Sequence, residues 1–201
     1  YDPFFCAGSV KANLFEIGFE SVYNACEDFY EVVREKRLPL FDVIVTNPPY
    51  SGEHVQKVFQ FCQSTGKPFF LLLPNFFATK PWFVRDMKGV FFIYPKKRYL
   101  YRTPSGGARD KSQMRKDRKT SPFISFWFCS LGQTANASAV LPRIAKEALS
   151  TVGGDKKDEY HVARRLDTIP QRLRQWSDNS TNRKGREGSM SSKRKERFSG
   201  D

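Results

Sequence analysis

Histidine is almost missing from this chain, with two in 201 residues, and the four cysteines (Cys6, Cys26, Cys62, Cys129) include no Cys-x-x-Cys pair. A metal centre needs imidazole or thiolate ligands at close spacing, so no metal is expected. No apolar run approaches the ~20 residues of a membrane-spanning helix, so no membrane partner is expected. There is no internal repeat, which sets aside solenoids and propellers. Three of the cysteines lie in apolar surroundings and read as reduced thiols, consistent with a nuclear or cytoplasmic setting.

Acidic residues are also few, 21 against 34 Lys and Arg, for a net charge of +13. The placement matters more than the total. Between Lys96 and Lys119 lie ten basic residues (Lys96, Lys97, Arg98, Arg102, Arg109, Lys111, Arg115, Lys116, Arg118, Lys119) against Asp110 and Asp117, a net of +8. The rest of residues 1–133 is near neutral, so one segment carries the field. That segment, residues 99–121, has almost no aliphatic residue and contains Thr103-Pro104-Ser105-Gly106-Gly107, the composition of a surface loop. Lys and Arg interleaved with Tyr99 and Tyr101 suit contacts that track a nucleic-acid backbone, with bases stacking on the rings.

The most informative stretch runs from Phe41 through Val43-Ile44-Val45-Thr46 to Asn47-Pro48-Pro49-Tyr50. Its β-branched apolar run predicts a buried strand, stopped at its carboxyl end by two prolines. Each proline fixes its own φ and pushes the preceding residue out of the helical region, so Asn47 and Pro48 are held extended in a stiff loop. Neither proline has an N–H to donate. The loop therefore offers the side-chain oxygen of Asn47, the carbonyl of Pro48 and the ring of Tyr50, a set matched to a flat molecule bearing an NH2 group.

Asn47-Pro48-Pro49-Tyr50 after a hydrophobic strand resembles the catalytic motif of class I S-adenosylmethionine-dependent amino-methyltransferases, the superfamily of adenine-N6, guanine-N2 and release-factor glutamine enzymes. The resemblance implies that Asn47 and Pro48 accept hydrogen bonds from the target amine and that Tyr50 packs on the target plane, with Pro49 beside it. Asp2-Pro3-Phe4-Phe5-Cys6-Ala7-Gly8 is similar to the loop after the first strand of that family, which implies cofactor contacts for Asp2, Phe4 and Gly8. Cys6 stands where the family usually has its first glycine. By the same resemblance Glu27, Asp28 and Phe29 would meet the ribose and adenine of S-adenosyl-L-methionine. The implied fold is α/β, a Rossmann-like class I sheet, mostly parallel with a terminal antiparallel hairpin and amino-terminally truncated.

Local patterns extend this outline. Ser9 is a candidate N-cap for a helix with Val10, Leu14 and Ile17 on one face, ended by Gly18. A strand is expected at about residues 21–25. Val55, Val58, Phe59 and Cys62 keep helical spacing up to Gly66. The run Phe69 to Leu73 predicts a parallel strand covered on both faces, followed by Asn75 and Phe76 as candidate substrate contacts. Two further strands are expected at residues 90–94 and 123–129. Residues 1–133 form the expected methyltransferase-like domain, and residues 134–201 a basic, mostly disordered tail with possible short helices.

The expected activity is N-methylation of an exocyclic nucleic-acid amine, adenine-N6 foremost, with Lys96, Lys97, Arg98, Arg102 and Arg109 on the substrate backbone. Two alternatives stay open: a protein glutamine or lysine N-methyltransferase, and a non-catalytic nucleic-acid-binding protein on a decayed methyltransferase fold.

Overall fold

A computed structural model describes residues 1–95, 123–133, 139–144 and 160–174. Its centre is an open mixed sheet. Strands β1 (Ile44–Thr46), β2 (Phe69–Pro74), β3 (Phe91–Pro95), β4 (Ser125–Ser130) and β5 (Tyr160–Ala163) lie in the order β1-β2-β4-β3-β5. β1 and β2 are parallel, whereas β4 runs antiparallel to both β2 and β3, and β5 antiparallel to β3.

The α/β class holds, but the sheet is mixed rather than mostly parallel, since only one of its four strand pairings is parallel. The physical reason is that burial on both faces does not encode the direction of a neighbour. β2 reads as a buried apolar run, yet β4, with five of its six residues buried, enters beside it in the opposite sense.

Helix α3 (His54–Thr65) makes the crossover between β1 and β2, and its Val55, Val58, Phe59 and Cys62 are all buried. Gly66 ends it at φ 65°, the left-handed conformation that a glycine cap adopts without a Cβ penalty. The N-cap position belongs to Glu53, which makes no side-chain capping bond. Under α3 the core is aromatic: the Phe59 ring lies 4.8 Å from Phe83 and 6.0 Å from Phe69, and Phe83 meets Phe128 edge-on at 5.1 Å. Full burial of such side chains is worth about 1.5–3 kcal/mol each. A 3-10 turn (Asn75–Thr79) and helix α4 (Pro81–Asp86), with proline at its first position, lead from β2 towards β3.

The amino-terminal segment extends the sheet without forming a full strand. The Tyr1 amino group donates to the Val43 carbonyl at 2.8 Å and the Val45 N–H to the Tyr1 carbonyl at 3.0 Å, the alternation of a parallel neighbour on the free side of β1. Asp2 N–H in turn reaches the Tyr23 carbonyl at 3.0 Å. Residues 21–25, expected as a strand, have no strand pairing beyond such contacts.

Helix α1 (Val10–Glu16) forms where Ser9 and Gly18 bracket it, but Ser9 makes no side-chain capping bond and no residue of α1 is buried. The Val10, Leu14, Ile17 spacing therefore marks a helix whose apolar face is open, with Ile17 69% exposed. Helix α2 (Phe29–Arg34) is capped by Asp28, whose carboxylate accepts from Tyr30 N–H at 2.8 Å and Glu31 N–H at 3.2 Å. No strand intervenes between α2 and β1.

The core continues past residue 133. β5 pairs with β3 through Ile93 and Val162, Ile169 is fully buried, and Leu173, in the short helix α6 (Gln171–Arg174), is nearly so. Residues 160–174, placed by composition in a mostly disordered tail, thus complete the sheet edge and one side of the core. A helical stretch at 139–144 (α5) is largely exposed.

Candidate functional site

Three loops line an open cleft of about 740 Å³: residues 3–6 after the amino-terminal segment, 26–28 before α2, and 47–50 after β1. Asn47, Pro48, Pro49 and Tyr50 line it together with Phe4, Cys6, Cys26, Glu27 and Asp28. Residues far apart in sequence thereby share one space.

Within the 47–50 loop the Asn47 side chain is exposed while Pro48 is buried. The Tyr50 hydroxyl donates to Asn47 Oδ1, in a short bond, and lies 3.1 Å from the Leu72 carbonyl on β2. One hydroxyl proton faces two oxygens. An amide oxygen has two lone pairs, so Asn47 Oδ1 keeps acceptor capacity for a second donor. The Tyr50 ring is fixed by Phe123, edge-on at 5.5 Å, and Phe77 at 6.4 Å, which joins the loop to the ends of β2 and β4.

Asp2 does not line the cleft. It is 6% exposed, and its Oδ1 accepts from Thr46 Oγ1 at 2.5 Å and Phe4 N–H at 3.1 Å. Burial pushes its pKa above the usual aspartate value, and those two donors pull the other way. It ties the first loop to β1, one residue before Asn47. Gly8 also stands back from the cleft: at φ 70° it lies so close under the Phe5 ring that a Cβ would come within 2.7 Å of it. Cys6 itself adopts φ 49°, a left-handed conformation costly for a residue with a side chain.

Glu27 is exposed and held by Tyr23, whose hydroxyl donates at 2.8 Å, and by Arg37 at 3.3 Å. Asp28 spends its Oδ1 on the α2 cap, leaving Oδ2 as its further acceptor. Phe29 lies behind the cleft, 4% exposed, with Phe4 at 5.5 Å and Phe61 at 5.1 Å. It supports Phe4 instead of facing a ligand.

Asn75 and Phe76 lie away from the cleft lining. Asn75 is 2% exposed, donating from Nδ2 to the Leu173 carbonyl at 2.8 Å and from its N–H to the Ile124 carbonyl at 2.8 Å. Phe76 packs on Phe77 at 4.7 Å and on Phe123 at 6.3 Å, and both of those rings contact Tyr50. Lys96, Lys97, Arg98, Arg102 and Arg109 lie outside the described residues.

The site residues named from sequence did not include Pro3, Phe5 or Cys26, although Pro3 and Phe5 lie inside the Asp2 to Gly8 stretch and Cys26 immediately before Glu27. They also left out the Tyr30 hydroxyl, 2.6 Å from His54 Nδ1, a link between α2 and the start of α3.

No family model, curated protein or solved structure matches the chain. The chemistry must be argued from the cleft. An exposed amide oxygen on a proline-stiffened loop can accept from an amine, and the acidic segment lining the same cleft can accept from hydroxyl groups. Among the described residues no helix is long and apolar enough to cross a membrane, and no group of three or more metal-binding side chains gathers.

Proposed function

We propose that the chain is an S-adenosylmethionine-dependent N-methyltransferase acting on an exocyclic amine of a nucleic acid, adenine-N6 foremost. The observation that carries the proposal is the continuity of one cleft from the Asn47 to Tyr50 loop to the loops at residues 3–6 and 26–28. Such a cleft has room for a methyl donor beside an amine acceptor. The finer fold assignment, a class I methyltransferase sheet, is supported by the parallel neighbour at Tyr1, the β1-β2-β4-β3 order and the reversed β4.

An exocyclic base amine is a poor nucleophile because its lone pair is delocalised into the ring. Acceptors at Asn47 Oδ1 and the Pro48 carbonyl draw on its hydrogens, favour lone-pair density on nitrogen and stabilise the positive charge that grows as the methyl group transfers. The loop's stiffness supplies orientation. S-adenosyl-L-methionine would be held by the 3–6 loop and by Glu27 and Asp28, and it supplies an electrophilic methyl group. A base in a duplex would first be flipped out, at a cost of a few kcal/mol. The basic segment between Lys96 and Lys119 would add phosphate contacts.

A non-catalytic nucleic-acid-binding protein on the same fold is the second reading, favoured by Cys6 at φ 49° in the place of a glycine and by the inward turn of the Asp2 carboxylate. Calorimetric titration with S-adenosylmethionine, then radiolabelled methyl transfer to RNA, DNA and protein, separates the cases. Cofactor binding and nuclease-sensitive label support the proposal. Label that resists nuclease and follows protein would move the substrate to a polypeptide, and salt-sensitive nucleic-acid binding without cofactor binding would end the enzymatic assignment.

A further inference from the structure

Two of the four cysteines are exposed and two are buried, and the exposed pair, Cys6 and Cys26, lines the same cleft from two different loops. The segments that carry them are joined just upstream. Asp2 N–H bonds to the Tyr23 carbonyl at 3.0 Å and Asn24 Nδ2 to the Asp2 carbonyl at 3.2 Å, while the Tyr1 and Tyr23 rings meet edge-on at 5.9 Å. From that anchor the chain runs four residues to Cys6 and three to Cys26, and both stretches turn towards the cleft. Two exposed thiols are thus brought to one cleft on short loops that spring from a common anchor. The first of them occupies a left-handed backbone position that glycine would fill without strain.

We propose that Cys6 and Cys26 form a reversible disulfide that closes this cleft. The step needs a two-electron oxidant of the hydroperoxide class. One thiolate attacks the peroxide oxygen, giving a sulfenic acid and releasing hydroxide. The second thiol then attacks the sulfenic sulfur, forming the S–S bond and releasing water. Both electrons come from the two sulfurs, and a small dithiol reductant returns them. Bridging requires the two Cα atoms to come within the usual disulfide span of about 4.4–6.8 Å, which draws the 3–6 loop against the 26–28 loop and narrows the space between them. Cys62 and Cys129 are internal controls, because both are fully buried and burial pushes both thiols far up from the ordinary cysteine value.

The test begins with peptide mapping of the full chain after equimolar hydrogen peroxide, without reductant. Trypsin cleavage after Lys11 and Arg34 puts the two thiols on separate peptides. The expected result is a single linked pair, lighter by two hydrogens, that disappears with dithiothreitol and is absent from Cys26→Ser and from Cys6→Gly, a variant suited to the backbone it inherits. Cys62 and Cys129 should remain thiols. Free, separately oxidised or intermolecularly linked Cys6 and Cys26 would overturn the proposal.

Closure is then read by titrating S-adenosylmethionine into the reduced and oxidised protein, an arm that rests on the methyltransferase assignment. Binding weakened at least about tenfold by oxidation and restored by reductant supports closure. Equal binding by both forms overturns closure. Binding by neither form removes the cofactor assignment and leaves the linked peptide to decide the disulfide.

Discussion

A single hydroxyl proton shared between Asn47 Oδ1 and the Leu72 carbonyl decides what the 47–50 loop can offer. Tyr50 caps the amide oxygen. An incoming amine can take the second lone pair while the hydroxyl turns to Leu72, so the acceptor is never left bare. Asn47→Ala removes the acceptor and is expected to cut turnover by about 10²–10³-fold with cofactor affinity unchanged, the size of effect seen when a preorganised transition-state hydrogen bond is lost. Tyr50→Phe keeps the acceptor and loses its tether. It should lower stability by about 0.5–1.5 kcal/mol in denaturant titration while costing less turnover than Asn47→Ala. Equal turnover of Asn47→Ala and the parent chain would remove the catalytic role.

Asp2 gives a second test, in pH. Burial raises its folded-state pKa above the unfolded value, so its contribution to stability is present below the ordinary aspartate range and is lost as pH rises through the raised value. Near neutral pH the ionised, buried carboxylate therefore weighs against the fold. Asp2→Asn keeps an acceptor for Thr46 and Phe4 without the charge. Its melting temperature is expected to exceed the parent's at neutral pH, with the gap closing under acid. A gap that widens in acid would reverse the sign assigned to the burial.

At the scale of elements, what could be read in advance divides by the range of the interaction. Helix α3 was legible because Val55, Val58, Phe59 and Cys62 repeat on one face and Gly66 stops it, all within one stretch of chain. β1 was legible for a similar reason, its end being marked by Pro48 and Pro49. Strand direction was not, because a fully apolar run like Phe69 to Leu73 accepts either neighbour. β5 was invisible to pattern: its four residues pair with β3, across a sequence separation that no local period reports. The candidate site followed the same division. Asn47 to Tyr50 are contiguous in sequence and line the cleft together, whereas Cys26 joins the lining from a segment held beside Asp2 by long-range contacts.

The turn after β4 shows how tightly elements meet. Gly132 sits at φ 64°, and a Cβ there would lie 2.7 Å from the Lys67 carbonyl carbon and press on the Gly66 carbonyl oxygen. The same Gly66 oxygen accepts from Gln133 N–H at 2.8 Å, locking the end of β4 over the α3 to β2 connection. Backbone cannot yield as a flexible side chain does. Gly132→Ala is expected to cost at least about 1–3 kcal/mol in denaturant midpoint analysis, the range for a residue forced into a sparsely populated conformation. A neutral substitution would show that this turn relaxes freely.

For the whole molecule, the core draws on segments far apart in the chain. β5, Ile169 and Leu173 belong to the core although they follow residue 133, and the Leu173 carbonyl receives the buried Asn75 amide. A chain ending at Gln133 loses β5 with the buried Ala163, Ile169 and Leu173 and strands the Asn75 donor, whereas one ending at Arg174 keeps them all. Loss of a buried group's partner alone costs about 1–3 kcal/mol, so a clear drop in melting temperature is expected for the shorter chain.

The charge argues for a separable contribution to binding. Lys96 to Lys119 carry a net of +8, the rest of residues 1–133 is near neutral, and the remaining +6 lies in residues 134–201, so on the proposed function this segment should supply the largest local share of nucleic-acid affinity. Log affinity should fall linearly with log salt, by about 0.9 per phosphate neutralised on duplex DNA and about 0.7 on single strands. Replacing Lys96, Lys97 and Arg98 with glutamine should flatten that slope by about two to three units while leaving binding of S-adenosylmethionine at the cleft unchanged. If the slope survives the triple replacement, Lys96, Lys97 and Arg98 do not contact phosphates, and their assignment to the substrate backbone is overturned.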